Sequence, residues 1–98
     1  MPMVVDPDGV EIATIRDLVD LRRLRVVEIG CGDGRMTFDC AHEAASVLAF
    51  DPDEESIRAA RAATPRGLRP KITFEVADAA EIELPEAEFD LALFSWSL

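Results

Sequence analysis

The chain has 98 residues and a net charge of −10, which bounds it to one domain with a thin core. That acidity opposes phosphate backbones, so nucleic acid is a poor partner for this segment, and 49% hydrophobic residues set it apart from disordered chains. The N-terminus, MPMVVDPDGVE, has no basic start, and the longest apolar runs are strand-sized, so no membrane partner is expected and the expected location is cytoplasmic.

Residues 11–24, EIATIRDLVDLRRL, place Ile12, Ile15, Leu18 and Val19 on one stripe and predict a helix, with Asp6 and Asp8 as candidate caps. RVVEI then reads as a buried strand ending in glycine. RMTFDCAHEAAS puts Phe38, Ala41 and Ala45 on a shared face and predicts a second helix. Val47 to Phe50 form a second strand closed by Asp51. DEESIRAARAAT is a third helix that opens on Asp53 and stops before Pro65. KITFEV alternates and reads as a third strand; FDLALFSW is apolar almost throughout and reads as a fourth, covered on both faces. Between them ADAAEIELPEAE is an acidic loop with room for one short helical turn, and Asp90 is expected to be a structural turn partner. Strands alternating with helices predict an α/β fold with a parallel sheet.

The chemistry concentrates in VVEIGCGDGR, where Gly30, Gly32 and Gly34 follow a strand with one residue between each. Glycine lets the chain turn sharply and lets a ligand lie against the main chain, at the carboxyl end of a strand where open α/β sheets bind ligands. The next helix aims its free N–H groups at the same place. A plain strand-to-helix turn would need one glycine, not three. The dinucleotide fingerprint is G-x-G-x-x-G; here the third position of that pattern holds Arg35. Glu28, two residues before the loop, would also face a pyrophosphate badly and suits a ligand with an ammonium group. A nicotinamide-dependent oxidoreductase of Rossmann type is therefore the second reading, favoured by the acid that closes the second strand and opposed by the glycine spacing. Cys31, Cys40 and His42 lack the spacing and number of a zinc site, and no metal is expected.

These residues resemble the class I S-adenosylmethionine-dependent methyltransferases, whose first motif is E/D-x-G-x-G-x-G. Asp51 in LAFDPD, Asp78 in FEVADAAE and the segment FDLALFSWSL resemble the family's later landmarks, in the same order. The resemblance spans residues 12–98 and covers the first part of a domain that normally has seven strands. It implies a three-layer Rossmann-like sheet, incomplete, with strand order 3-2-1-4 and truncated after the fourth strand. It implies S-adenosyl-L-methionine as cofactor. The loop of Gly30, Cys31, Gly32 and Gly34 is then expected to hold the methionine and sugar, with Glu28 near the ammonium. Asp51, followed by Pro52, is expected at the ribose hydroxyls, Asp78 and Ala79 at the adenine, and Phe94 and Ser95 near the sulfonium. Glu28 as a mere loop acceptor, Asp51 as a turn residue and Asp78 as a turn cap are the plainer alternatives.

Methyl transfer from a sulfonium is an in-line displacement with a neutral leaving group, so alignment and exclusion of water are the main tasks. No catalytic residue is assigned. SWSL lacks the D/N-P-P-aromatic pattern linked to amino methylation, and no Pro-Cys pair marks cytosine methylation. The acceptor is unspecified, and a small molecule is expected. The expectations for the 98-residue chain alone are an open edge on the fourth strand, an exposed apolar face, and either self-association through that strand or only marginal folding, with no methyl transfer. A non-catalytic remnant of a methyltransferase is the third reading.

Overall fold

The computed structural model describes residues 3–5, 20–81 and 88–94. In chain order the elements are β1 (Met3–Val5), β2 (Arg25–Ile29), α1 (Arg35–Ala41), β3 (Ser46–Asp51), α2 (Glu54–Ala63), β4 (Ile72–Val76) and β5 (Leu91–Phe94). Two 3-10 turns, Arg66–Lys71 and Ala79–Glu81, lead into β4 and follow it. The five strands form one parallel sheet in the order β1-β5-β2-β3-β4. The four strands expected from the sequence are β2, β3, β4 and β5, and they stand in the expected order 3-2-1-4.

Alternation along the strands sorts the core. Val26, Val47, Leu91 and Leu93 face one side with Cys40 and Ala41 of α1. Ala49 and Phe74 pack on the same side with Ile57 and Ala60 of α2. Phe38 bridges the two groups and meets the Phe74 ring edge-on, centroids 6.1 Å apart. Val27, Ile29 and Ala92 pack together on the opposite side, against Phe50 and Phe89. Glu28 lies between Val26 and the loop, so period two turns its carboxylate toward the helices.

Local chemistry fixes the element ends. The Asp53 carboxylate accepts from Glu55 N at 3.1 Å and caps α2, with Glu54 and Glu55 in the first turn and Arg61 in the last. Thr64, ahead of Pro65, leaves helical geometry at ψ 120, as a residue before proline must. At the opening of β2, Arg25 N donates to Asp90 Oδ2 at 2.9 Å and Asp90 N donates to Arg25 O at 2.8 Å. The Arg25 guanidinium joins them at 3.2 Å and, as the first cause, holds the Asp90 carboxyl below the usual carboxylate range. Asp90 is thus the structural partner expected of it, and it sets the register of β2 against β5.

Four expectations change. Residues 11–19 of the first predicted helix lie outside the described residues, and residues 20–24 are not helical. Asp20 takes the Arg22 backbone N–H at 3.0 Å and its guanidinium at 2.9 Å, and Arg23 adopts a left-handed φ of 65. A short acidic side chain bonding the nearby backbone competes with helix here. The second predicted helix ends at Ala41, so Ala45 is not on its face; Ala45 N instead donates to Leu24 O and leads into β3. Finally, the expected fourth strand does not end the sheet. Met3, Val4 and Val5 pair with Leu91, Ala92 and Leu93 and take up the edge from which self-association was expected. The expected exposed apolar face is absent among the described residues: Val27, Ile29 and Ala92 are buried, and Val76, 42% exposed, is the one large apolar side chain left open.

Candidate cofactor site

β2 ends at Ile29, and the chain then makes three left-handed residues in five: Gly30 at φ 83, Gly32 at φ 57 and Gly34 at φ 89. Side chains other than glycine rarely adopt that conformation. Gly30 N and Cys31 N both donate to Phe50 O, at 2.8 and 3.0 Å, which ties the loop to the end of β3. Asp51, the last residue of β3, reaches across with Oδ2 to Gly32 N at 2.9 Å, while its Oδ1 accepts from Asp53 N at 2.9 Å. One carboxylate therefore holds both the glycine loop and the turn into α2. Carboxylate oxygens accept more than one hydrogen bond each, so Asp51 keeps capacity for a ligand hydroxyl.

A groove of about 480 Å³ runs along the loop, walled by Glu28, Gly30, Cys31 and Gly32 on one side. Met36 of α1 and Ser56 of α2 close it, with Asp33 and Arg35 at the rim. The Ser56 hydroxyl is held by Asp53 Oδ2 at 2.8 Å, and this bond, the first cause, lowers the Asp53 carboxyl from its usual range. Glu28 is 1% exposed and accepts a hydrogen bond from the Thr37 hydroxyl, which is fully buried. Burial first, then the Glu28 and Asp51 charges, push the Cys31 thiol up to about 12, so it stays protonated and is no nucleophile.

The groove fits the cofactor implied by the sequence. A Cβ added at Gly32 would meet nothing within 4 Å, so the space over the loop backbone is open. A buried carboxylate and a second one at the strand end suit ammonium and hydroxyl groups better than a pyrophosphate. Gly34 is different. A Cβ there would stand 3.1 Å from Phe38 and 3.2 Å from Ala60 and Phe74, so this glycine faces the core and allows α1, α2 and β4 to approach. It is a packing residue, where the sequence placed it in the cradle with Gly30 and Gly32.

Of the other expected site residues, Pro52 is exposed beside Asp51. Asp78 Oδ1 accepts from Ala80 N at 3.0 Å and caps the 3-10 turn that Ala79 opens, which is the plainer alternative raised for it. Its position beyond the end of β4, next to the end of β3, still puts it on the carboxyl edge with Asp51. Phe94 ends β5 opposite Ile29, and Ser95 lies outside the described residues. Sequence reasoning missed Met36, Thr37 and Ser56. Their signal was position alone: each falls in the opening turn of a helix that follows a strand's carboxyl end.

A glycine loop of this hand, at the carboxyl end of the central strand of a parallel sheet and braced by the acid ending the next strand, defines a Rossmann-like cofactor-binding protein. The methyltransferase domain family matches residues 26–98, and the chain belongs to it, among the class I S-adenosylmethionine-dependent methyltransferases. It is 36% identical over 76 residues to magnesium-protoporphyrin O-methyltransferase of Rhodobacter capsulatus, covering 78% of this chain and 34% of that protein. The structure of an S-adenosylmethionine-dependent methyltransferase from Mesorhizobium loti superposes with a TM-score of 0.73 at 36% identity, over 84% of this chain and 37% of that one. Phosphoethanolamine N-methyltransferase 1 of Haemonchus contortus, solved with phosphoethanolamine and S-adenosylhomocysteine, gives 0.75 at 28% identity, over 86% of this chain and 18% of that one. The chain thus spans about a third of the length of the first two. S-adenosylmethionine is the cofactor of the family. No helix among the described residues is long and apolar enough to cross a membrane.

Proposed function

We propose that this chain is the S-adenosylmethionine-binding portion of a methyltransferase whose acceptor is a small molecule. The observation that carries the reading is the loop itself: open space over Gly32, with its N–H held by Asp51 and a buried Glu28 at its base. Bound there, the cofactor supplies an activated methyl group on a sulfonium. Glu28 receives the ammonium end, and the Gly30–Gly32 backbone lies under the methionine and sugar. Asp51 accepts from the ribose hydroxyls with the lone pairs left by Gly32 N and Asp53 N. Asp78 and the Ala79 N–H approach the adenine, and Phe94 and Ser95 are assigned to the sulfonium end. The residues bind, orient and exclude water, and no proton transfer is assigned to any of them.

The two relatives above act on unlike acceptors, a porphyrin and phosphoethanolamine by their names, so likeness in this segment speaks for the shared cofactor. A small acceptor is supported by the net charge of −10 and by the lack of base-methylation motifs in SWSL. Cys31 and Cys40 are buried and not in a disulfide, which suits a reducing compartment, and we place the protein in the cytoplasm. Titration calorimetry of the chain with S-adenosylhomocysteine and with NAD tests the reading. Binding of the first and not the second is expected; tighter binding of NAD would overturn it in favour of an oxidoreductase.

A further inference from the structure

Thr37 is the third residue of α1, and its side chain is fully buried. Helical side chains lean back toward the helix N-terminus, which carries the Thr37 hydroxyl toward the end of β2. Threonine within a helix commonly returns its hydroxyl to a carbonyl one turn earlier. This one donates across to Oε1 of Glu28 on the neighbouring strand. Glu28 is itself 1% exposed and forms the floor of the groove beside Gly30 and Gly32. A carboxylate on a three-bond tether has several rotamers, and a buried donor to one oxygen selects among them. The hydroxyl also lowers the cost of keeping a charge in a buried place.

We propose that Thr37 is a positioning residue for cofactor binding, acting through Glu28: it fixes the carboxylate in the orientation that receives the ligand's ammonium group. The inference rests on the S-adenosylmethionine reading given above. Thr37 touches no ligand in this account, and the groove residues do not include it. Its effect is therefore conditional on Glu28, and that is the property to measure.

The experiment is a double-mutant cycle on the chain, with S-adenosylhomocysteine as the probe by calorimetry and thermal unfolding recorded on every variant. Thr37→Val keeps the shape and removes the donor. It should weaken binding about tenfold, the size of a lost hydrogen bond to a charged group. Thr37→Ser keeps the donor and should bind within about twofold of the parent. In a Glu28→Gln background, Thr37→Val should cost less than about twofold, because the residue it acts through has already lost its charge. If Thr37→Val costs as much in the Glu28→Gln background as in the parent, or binds like the parent at a temperature where it is folded, the inference is overturned. If Thr37→Val does not fold, the serine variant decides: a loss of binding of about tenfold in Thr37→Ser, with unfolding unchanged, overturns it as well, and binding within about twofold of the parent upholds it. A parent chain that binds NAD rather than S-adenosylhomocysteine fails earlier and takes the functional reading with it.

Discussion

The two ends of the glycine loop share a backbone hand and face different surroundings. At Gly32, φ 57, a side chain would project into open space over the groove. At Gly34, φ 89, it would press on Phe38, Ala60 and Phe74, which come from α1, α2 and β4. Both glycines take the left-handed turn without steric penalty. One leaves the backbone bare along the groove, and the other keeps two helices and an edge strand close to the end of the central strand. A motif written as three equivalent glycines therefore combines an open groove surface with a packing contact.

The sharpest way to break the comparison is to put a methyl group at each end. Gly34→Ala combines a left-handed alanine, about 1–2 kcal/mol, with overpacking against three side chains, about 1–3 kcal/mol. It should lower the unfolding free energy by about 3 kcal/mol, measured by urea denaturation. Gly32→Ala should cost only the backbone part, about 1–2 kcal/mol. Its larger effect should fall on S-adenosylhomocysteine affinity, with Gly32→Val worse, since the added carbons occupy the ligand's space. Equal destabilisation by the two alanines, with equal binding, would show that the ends of the loop are not distinct.

Asp51 joins the two regions by holding Gly32 N and Asp53 N with its two oxygens. Asp51→Ala should weaken S-adenosylhomocysteine binding by about 2 kcal/mol, through lost acceptors for the ribose and a looser loop. Asp51→Asn retains one acceptor oxygen and cannot hold both backbone donors, so it should fall between alanine and the parent. Calorimetry on the three proteins checks the ranking; an asparagine variant as weak as alanine would put the whole effect in the bridge between loop and turn.

Much of this was legible in the residues. Gly30, Gly32 and Asp51 announce themselves because the chemistry they serve is local: a turn, a bare backbone, an acid at a strand end. Alternating strands and helices point to a parallel sheet, and the order of β4, β3, β2 and β5 is what the resemblance to the methyltransferase family implies. What was not legible depends on neighbours far along the chain. No element is expected at MVV, and these three residues become a strand only by pairing with Leu91, Ala92 and Leu93. Gly34 looks like its companions until Ala60 and Phe74 are placed beside it. Thr37 sits on a helix whose apolar face draws the eye to Phe38 and Ala41, and its worth lies in Glu28, nine residues back.

Cys31, between the first two glycines, gives the smallest and most specific prediction. Its thiol packs with Ala49, Ile57, Ala60 and Phe74, on the core side, while its residue also borders the groove. Burial and the nearby Glu28 and Asp51 charges raise its ionisation from 9.0 to about 12. In the unfolded chain the thiol loses its proton near the ordinary value. The unfolded state therefore releases protons first as pH rises, and the thiol's contribution to stability is intact below pH 9 and lost on the way to 12. At one pH unit above the ordinary value that loss is about 1 kcal/mol. Other groups titrate in the same range, so the measurement is a difference: unfolding free energy against pH for the parent and for Cys31→Ser. The serine variant should show a shallower alkaline decline, by about that amount. Parallel curves would mean that the loop admits water to the thiol, and that the core side of the loop is as open as the groove side.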